Sequence, residues 1–277
     1  MTNSLQSTKP IGIFDSGVGG LTVLKALRER LPDESFVYLG DTARLPYGTK
    51  SPTSILRYAK QATRHLQQRS IKLLVIACNT ASAVALEDLQ TELQPLPVIG
   101  VVHPGASAAV LARPSGRHLV LATEATVRLG AYGDAIRALD SSASVEELPC
   151  ELLVALAEEG WTTGGIAEAI VARYLQPFLS GRNEARPASI ILGCTHFPIL
   201  KNTIRRVAGD QVSIVDSAGT TAAVVADLLQ LRNLERKDGT RSRVDLLATD
   251  GARRFARVGG AFLGEDLSAD DVEVVDL

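Results

Sequence analysis

The chain is poor in aromatic residues, in cysteine and in net charge, and each shortage narrows what it can be. Only 4% of its residues are Phe, Trp or Tyr, so aliphatic side chains must fill its core. A formal net charge of −2 supports neither nucleic acid nor an anionic membrane as a partner. Its three cysteines, Cys78, Cys150 and Cys194, are too few and too widely spaced for a disulfide framework or a zinc ribbon. A reducing, cytoplasmic setting is therefore expected. No apolar run approaches the roughly 20 residues that span a bilayer. The opening MTNSLQSTKP lacks the basic-then-apolar layout of a secretory signal. What remains is an ordered globular chain: 45% of its residues are hydrophobic against 22% charged. Its 277 residues suit one large or two modest domains.

Short runs of Val, Ile, Leu and Phe recur at 11–14, 36–39, 73–77, 98–102, 119–121, 145–148, 190–192, 212–215 and 244–247. Between most of them lie stretches of helical periodicity, such as 21–30, 54–68, 82–93 and 163–178. This alternation predicts an α/β fold with mainly parallel sheets flanked by helices.

Two segments share one plan. Leu73–Thr80 (LLVIACNT) and Ile190–His196 (IILGCTH) each read as a buried strand, a small residue, a cysteine and two polar residues, with a helix-like stretch beyond. A thiol at a strand end where a helix begins sits in an electropositive spot that favours thiolate. Two such thiols about one small domain apart predict two similar lobes, each contributing one acid/base group. The expected boundaries are 1–102 plus 212–277 for the lobe with Cys78 and 103–211 for the lobe with Cys194. The first is placed before the turn-forming His103-Pro104-Gly105. The second rests on the echo of Asp15-Ser16 in Asp216-Ser217.

The polar residues at the other strand ends lie where open α/β sheets bind ligands. Asp15-Ser16-Gly17-Val18-Gly19-Gly20 is neither a dinucleotide fingerprint nor a Walker A loop, yet its backbone N–H groups suit a carboxylate. Asp15 or Ser16 equally suits a helix cap. In Gly40–Gly48, Pro46 and Gly48 fix a turn around Tyr47 that presents a hydroxyl and backbone groups. Arg44 and Lys50 are either ligand-attracting cations or ordinary loop residues. Cys78 and Cys194 stand apart from buried filler because Asn79-Thr80 and Thr195-His196 follow them. Cys150 has no such company and is assigned to the core. His196 is placed to tune or relay for Cys194, whereas His65, His103 and His118 receive no role. A zinc site from Cys78, Cys194 and His196 lacks the usual close ligand pair.

With these residues the chain resembles the bacterial glutamate racemases, cofactor-independent members of the aspartate/glutamate racemase superfamily. The segments that carry the resemblance are IGIFDSGVGGLTVL, YLGDTARLPYGTKS, VIACNTASA, VIGVVHPGA and ILGCTHFPIL, with IVDSA a weaker match. The resemblance implies two α/β lobes with substrate in the cleft between them, Cys78 and Cys194 as catalytic thiols, and no cofactor or metal. It implies that Asp15 assists Cys78 and His196 assists Cys194. It further implies that Asp15, Ser16, Tyr47, Gly48, Asn79, Thr80, Thr195 and His196 contact or orient glutamate. Glu158 matches a further assisting carboxylate, with Glu159 adjacent. The chain departs from the family pattern at His103, where many relatives carry an acid, and at Ala122-Thr123. A homodimer and a role in supplying D-glutamate for peptidoglycan are also implied.

The chemistry agrees with the residue types. Inverting an α-carbon takes a proton from one face and delivers one to the other, so two groups that exchange roles are the direct solution. Three other readings stay open on sequence alone: a racemase acting on aspartate, a non-catalytic amino-acid binding protein, and a metal hydrolase.

Overall fold

A computed structural model describes residues 6–180 and 186–277. The first five residues of the opening segment lie outside the described residues. The strands are β1 (Ile11–Asp15), β2 (Phe36–Gly40), β3 (Leu73–Ile76), β4 (Val98–Gly100), β5 (Arg117–Ala122), β6 (Ser144–Pro149), β7 (Ser189–Gly193), β8 (Ser213–Asp216), β9 (Val244–Ala248) and β10 (Val272–Val274). The helices between them are α1 (Leu21–Arg30), α2 (Pro52–Gln68), α3 (Asn79–Glu92), α4 (Val102–Ala112), α5 (Glu124–Leu129), α6 (Ala131–Leu139), α7 (Glu151–Glu158), α8 (Gly164–Leu179), α9 (Lys201–Ala208), α10 (Ser217–Leu231) and α11 (Ala252–Leu263). The alternation read from the sequence is the alternation present, and every strand pairing among the described residues is parallel.

The strands form two sheets, in the orders β10-β9-β2-β1-β3-β4 and β6-β5-β7-β8. Two compact units follow: one holds the described residues through Val101 together with Ala218–Leu277, the other Val102–Ser217. In the first unit β1, β2 and β3 are buried along their whole length, so they carry near-continuous apolar sequence rather than alternation. In α2, Ile55, Ala59, Ala62 and Leu66 repeat at helical spacing and bury one face. Ser51 caps that helix by accepting the Ser54 N–H, with Pro52 in its first turn. In the second unit Leu119, Val120 and Leu121 of β5 and Ile190, Ile191 and Leu192 of β7 are buried.

Two expectations need correction, and one strand is new. His103-Pro104-Gly105 is the first turn of α4 rather than a loop. A proline is tolerated there because a first-turn N–H needs no intrahelical acceptor. Gly105 serves packing: a Cβ at this position would lie 3.2 Å from the Tyr132 ring on α6. The strand at 213–216, assigned from sequence to the first lobe, pairs with β7 in the second sheet, Ser189 opposite Ser213 through Leu192 opposite Asp216. The chain re-enters the first unit only after Ser217. Finally, β10 adds a strand that the sequence did not announce; it is three residues long, and Glu273 and Val274 are exposed.

Candidate active site

In a parallel sheet all strands end at one edge, and in the first unit that edge gathers the predicted polar residues. Asp15 ends β1 and is fully buried. Its carboxylate accepts the Gly17 N–H at 2.9 Å, whereas the residue that caps α1 is Gly20. The helix-cap reading of Asp15 therefore gives way to a carboxylate fixed inside its own loop. Gly20 is required by close approach, since a Cβ there would meet Asp15 Cβ at 2.6 Å. The buried Tyr38 hydroxyl donates to Gly17 O at 2.9 Å. Burial first, and then the Asp15 charge, push that phenol well up, so it stays neutral.

Cys78 follows β3 and is the N-cap residue of α3, its Sγ accepting the Ala81 N–H at 3.4 Å. The helix starts there because Ala81, Ala85 and Leu89 bury one stripe against the core. Ser82 secures the first turn, donating to Ile76 O at 2.8 Å and accepting the Val101 N–H at 3.2 Å. Cys78, Asn79 and Thr80 are all buried. Ser16 and Gly48 are partly exposed at the same loops, and Tyr47 is buried in the core cluster that also contains Cys78.

One residue at this edge escaped the sequence reading. Asp41, just after β2, is fully buried and accepts from the Tyr47 hydroxyl at 2.5 Å, from Arg44 Nε at 2.7 Å and from Thr249 Oγ1 at 3.0 Å. Arg44 is thereby committed within the loop, also donating to Gln61 at 2.5 Å, and is no free cation for a ligand. Burial and the Asp41 charge hold the Tyr47 phenol far above its ordinary range. The signal for Asp41 was an acid three residues before an arginine and six before a tyrosine, at a strand end.

The second unit presents a different arrangement at its corresponding edge. Cys194 follows β7 and is buried, as is Thr195. A short 3-10 turn, Phe197–Leu200, separates it from α9. Cys194 Sγ lies 3.8 Å from His196 Nδ1, and His196 Nε2 lies 3.1 Å from Glu158 Oε1 at the end of α7. With Nε2–H donating to the carboxylate, Nδ1 faces the sulfur as an acceptor. Glu159 is exposed, so Glu158 is the acid that reaches the imidazole. Cys150, at the end of β6, donates its thiol to Leu148 O at 3.4 Å, and burial pushes that thiol far up. His103 is exposed, and His118 sits in the second sheet with Nδ1 2.7 Å from Ser189 Oγ. Among the described residues, no three His, Cys, Asp or Glu side chains converge as a metal site requires. Among them, no helix is long and apolar enough to cross a membrane.

Comparison with known proteins bears on the family of the chain as a whole. The Asp/Glu/Hydantoin racemase family model matches residues 20–226. A glutamate racemase from Geobacter metallireducens is 48% identical over 259 residues, covering 94% of each chain. The crystal structure of a glutamate racemase isoform from Bacillus anthracis superimposes with a TM-score of 0.89 at 34% identity, covering 97% of this chain and 98% of that one. That of the Francisella tularensis glutamate racemase in complex with D-glutamate gives a TM-score of 0.88 at 35% identity, covering 98% of both. The match of the family model and this similarity along almost the whole sequence place the chain in the Asp/Glu/hydantoin racemase family.

Proposed function

We propose that this protein interconverts L- and D-glutamate, with Cys78 and Cys194 as the paired acid and base. One observation carries the reading: each sheet contains four strands in the order second-first-third-fourth, and in each a cysteine stands within two residues of the end of the third. A single base tends to return a proton to the face it left. Inversion needs one thiolate and one thiol on opposite faces of the same carbon, exchanging states with each turnover.

The α-proton of a zwitterionic amino acid is very weakly acidic, so proton transfer alone is insufficient. Negative charge growing on the substrate carboxylate must meet preorganised donors where water is excluded. Backbone N–H groups at the start of α3, with the side chains of Ser16, Asn79, Thr80 and Thr195, are the candidates for that task. Tyr47 and Gly48 supply further contacts. Asp15 assists at Cys78, while His196, oriented by Glu158, carries protons to and from Cys194.

The identity to proteins named glutamate racemases supports glutamate over aspartate as the substrate. With that substrate the biological role is supply of D-glutamate for peptidoglycan in the cytoplasm, without a cofactor. Optical rotation of L-glutamate incubated with the purified protein should decay to zero, while L-aspartate should keep its rotation. Persistent rotation of L-glutamate would remove the reading, and decay of L-aspartate alone would move it to that substrate.

A further inference from the structure

Asp41 has no part in the proton chemistry proposed above, yet its carboxylate accepts from three side chains. It is fully buried, and its backbone N–H donates to Asp15 O at 3.0 Å. Its two oxygens receive a phenol, a guanidinium and a hydroxyl from two separate segments of the first unit. Tyr47 and Arg44 come from the loop after β2, and Thr249 comes from the end of β9. Thr249 Oγ1 also accepts the Ala43 N–H at 2.9 Å, which ties the start of that loop to the neighbouring strand. Arg44 continues the chain of contacts, with its guanidinium carbon 4.4 Å from the centre of the Tyr58 ring on α2.

These contacts converge on the short turn Tyr47–Thr49, which packs against α3, the helix that Cys78 caps. The Tyr47 ring leans on Phe14 and Tyr58, with centroids 6.1 and 5.9 Å away. The hydrogen bond from its hydroxyl to Asp41 then fixes the ring's remaining freedom. A buried carboxylate that accepts three donors is a rigid node, because each donor would be left unsatisfied if it moved.

We infer that Asp41 is a positioning residue: it holds the Tyr47–Gly48 turn against the Cys78 thiol and so sets how that turn meets the substrate. The inference rests on the racemase reading for the purpose of the turn, and on the first unit alone for its geometry. An amide in place of the carboxylate has only one acceptor oxygen for the Tyr47 and Thr249 hydroxyls and the Arg44 Nε–H, so Asp41→Asn should release the turn without changing its size.

Two measurements on the full chain test this separately from the functional reading. The first uses no substrate: alkylation of Cys78 by iodoacetamide, read by mass spectrometry against Cys194 in the same sample. Asp41→Asn should accelerate Cys78 alkylation relative to Cys194, and Tyr47→Phe should do the same even if Asp41→Asn fails to fold. An unchanged ratio in Tyr47→Phe overturns the inference, whatever the substrate proves to be. The second is racemisation of glutamate, where misplacing the turn should lower kcat/KM by roughly 10²-fold in Asp41→Asn. The double variant Asp41→Asn/Tyr47→Phe should then lose no more than the weaker single variant. Multiplying losses would mean that Asp41 acts by a route other than Tyr47. If the parent protein leaves glutamate untouched while the alkylation ratio shifts as expected, the substrate assignment fails and the positioning role stands.

Discussion

The two units solve the same problem with different parts. Both arrange four strands in one order and place a cysteine after the third. In the first, the 14-residue helix α3 begins directly after Cys78, and a backbone N–H of its first turn points at the sulfur. In the second, a 3-10 turn containing Pro198 delays the helix, and an imidazole backed by a carboxylate attends the sulfur of Cys194. The first sulfur thus faces a backbone N–H and the second an imidazole. The second strands differ as well: Asp41 follows β2 and organises a polar network, whereas Cys150 follows β6 and is an inert buried thiol. A repeated scaffold thus fixes where the two sulfurs stand, while the residues beside them are free to differ.

The sharpest attack on this comparison is to remove each thiol. Cys78→Ala and Cys194→Ala should each lower glutamate racemisation by ~10²–10⁴-fold or more. Cys150→Ala should leave the rate near that of the parent, because its thiol is already held unreactive. A larger loss in Cys150→Ala than in either of the others would reverse the assignment.

The edges away from the thiols also differ. In the first unit Lys72 is buried against Glu34 at 2.5 Å and also donates to Ser7 O and Leu234 O. Lys72→Met leaves the Glu34 carboxylate buried without its cation, at a cost of about 3–5 kcal/mol in stability. Chemical denaturation would register it as a lower midpoint; an unchanged midpoint would mean that Glu34 is compensated without Lys72, for instance by the Arg236 N–H it already accepts.

His196→Asn probes the relay itself. It should lower kcat/KM by roughly 10²-fold, equally in both directions because enantiomers equilibrate at unity. The asymmetry should emerge in the α-deuterium isotope effect. It should rise for the enantiomer whose proton goes to Cys194 and fall for the other. Equal isotope effects would erase the distinction between the two thiols.

The smallest expected effect concerns the buried His118–Ser189 pair of the second sheet. Burial holds the His118 imidazole below its ordinary 6.5, against a weaker opposing pull from Asp140. A depressed folded value means that its stabilising contribution is present above pH 6.5 and is lost as the pH falls toward the folded value. Between about pH 7 and about pH 5, the parent should lose more melting temperature than His118→Phe. Parallel curves would show that this histidine does not couple folding to protons.

The sequence revealed most where burial was complete. Strands such as β1, β3 and β7 are enclosed on both faces, so their composition is unmistakable, and the residues just beyond them could be named as site candidates. Short or edge elements were harder: β10 exposes Glu273 and Val274, and so lacks the apolar run that marks a central strand. Pro104-Gly105 reads as a turn because local preference favours one, whereas packing of Gly105 against Tyr132 decides for a helix. Pairing of β8 with β7 is a long-range choice that its own four residues do not encode. Asp41 was missed for a similar reason. Its partner Thr249 lies 208 positions away, and only the parallel register of β2 with β9 brings them together.

The most direct test of paired thiols is the fate of the α-proton in deuterated water. Early in the reaction, newly formed D-glutamate should carry deuterium at the α-carbon while recovered L-glutamate carries almost none, with the mirror result when the reaction starts from D-glutamate. Equal deuterium in product and recovered substrate would mean that one group serves both faces, and would contradict the assignment of Cys78 and Cys194 to opposite sides.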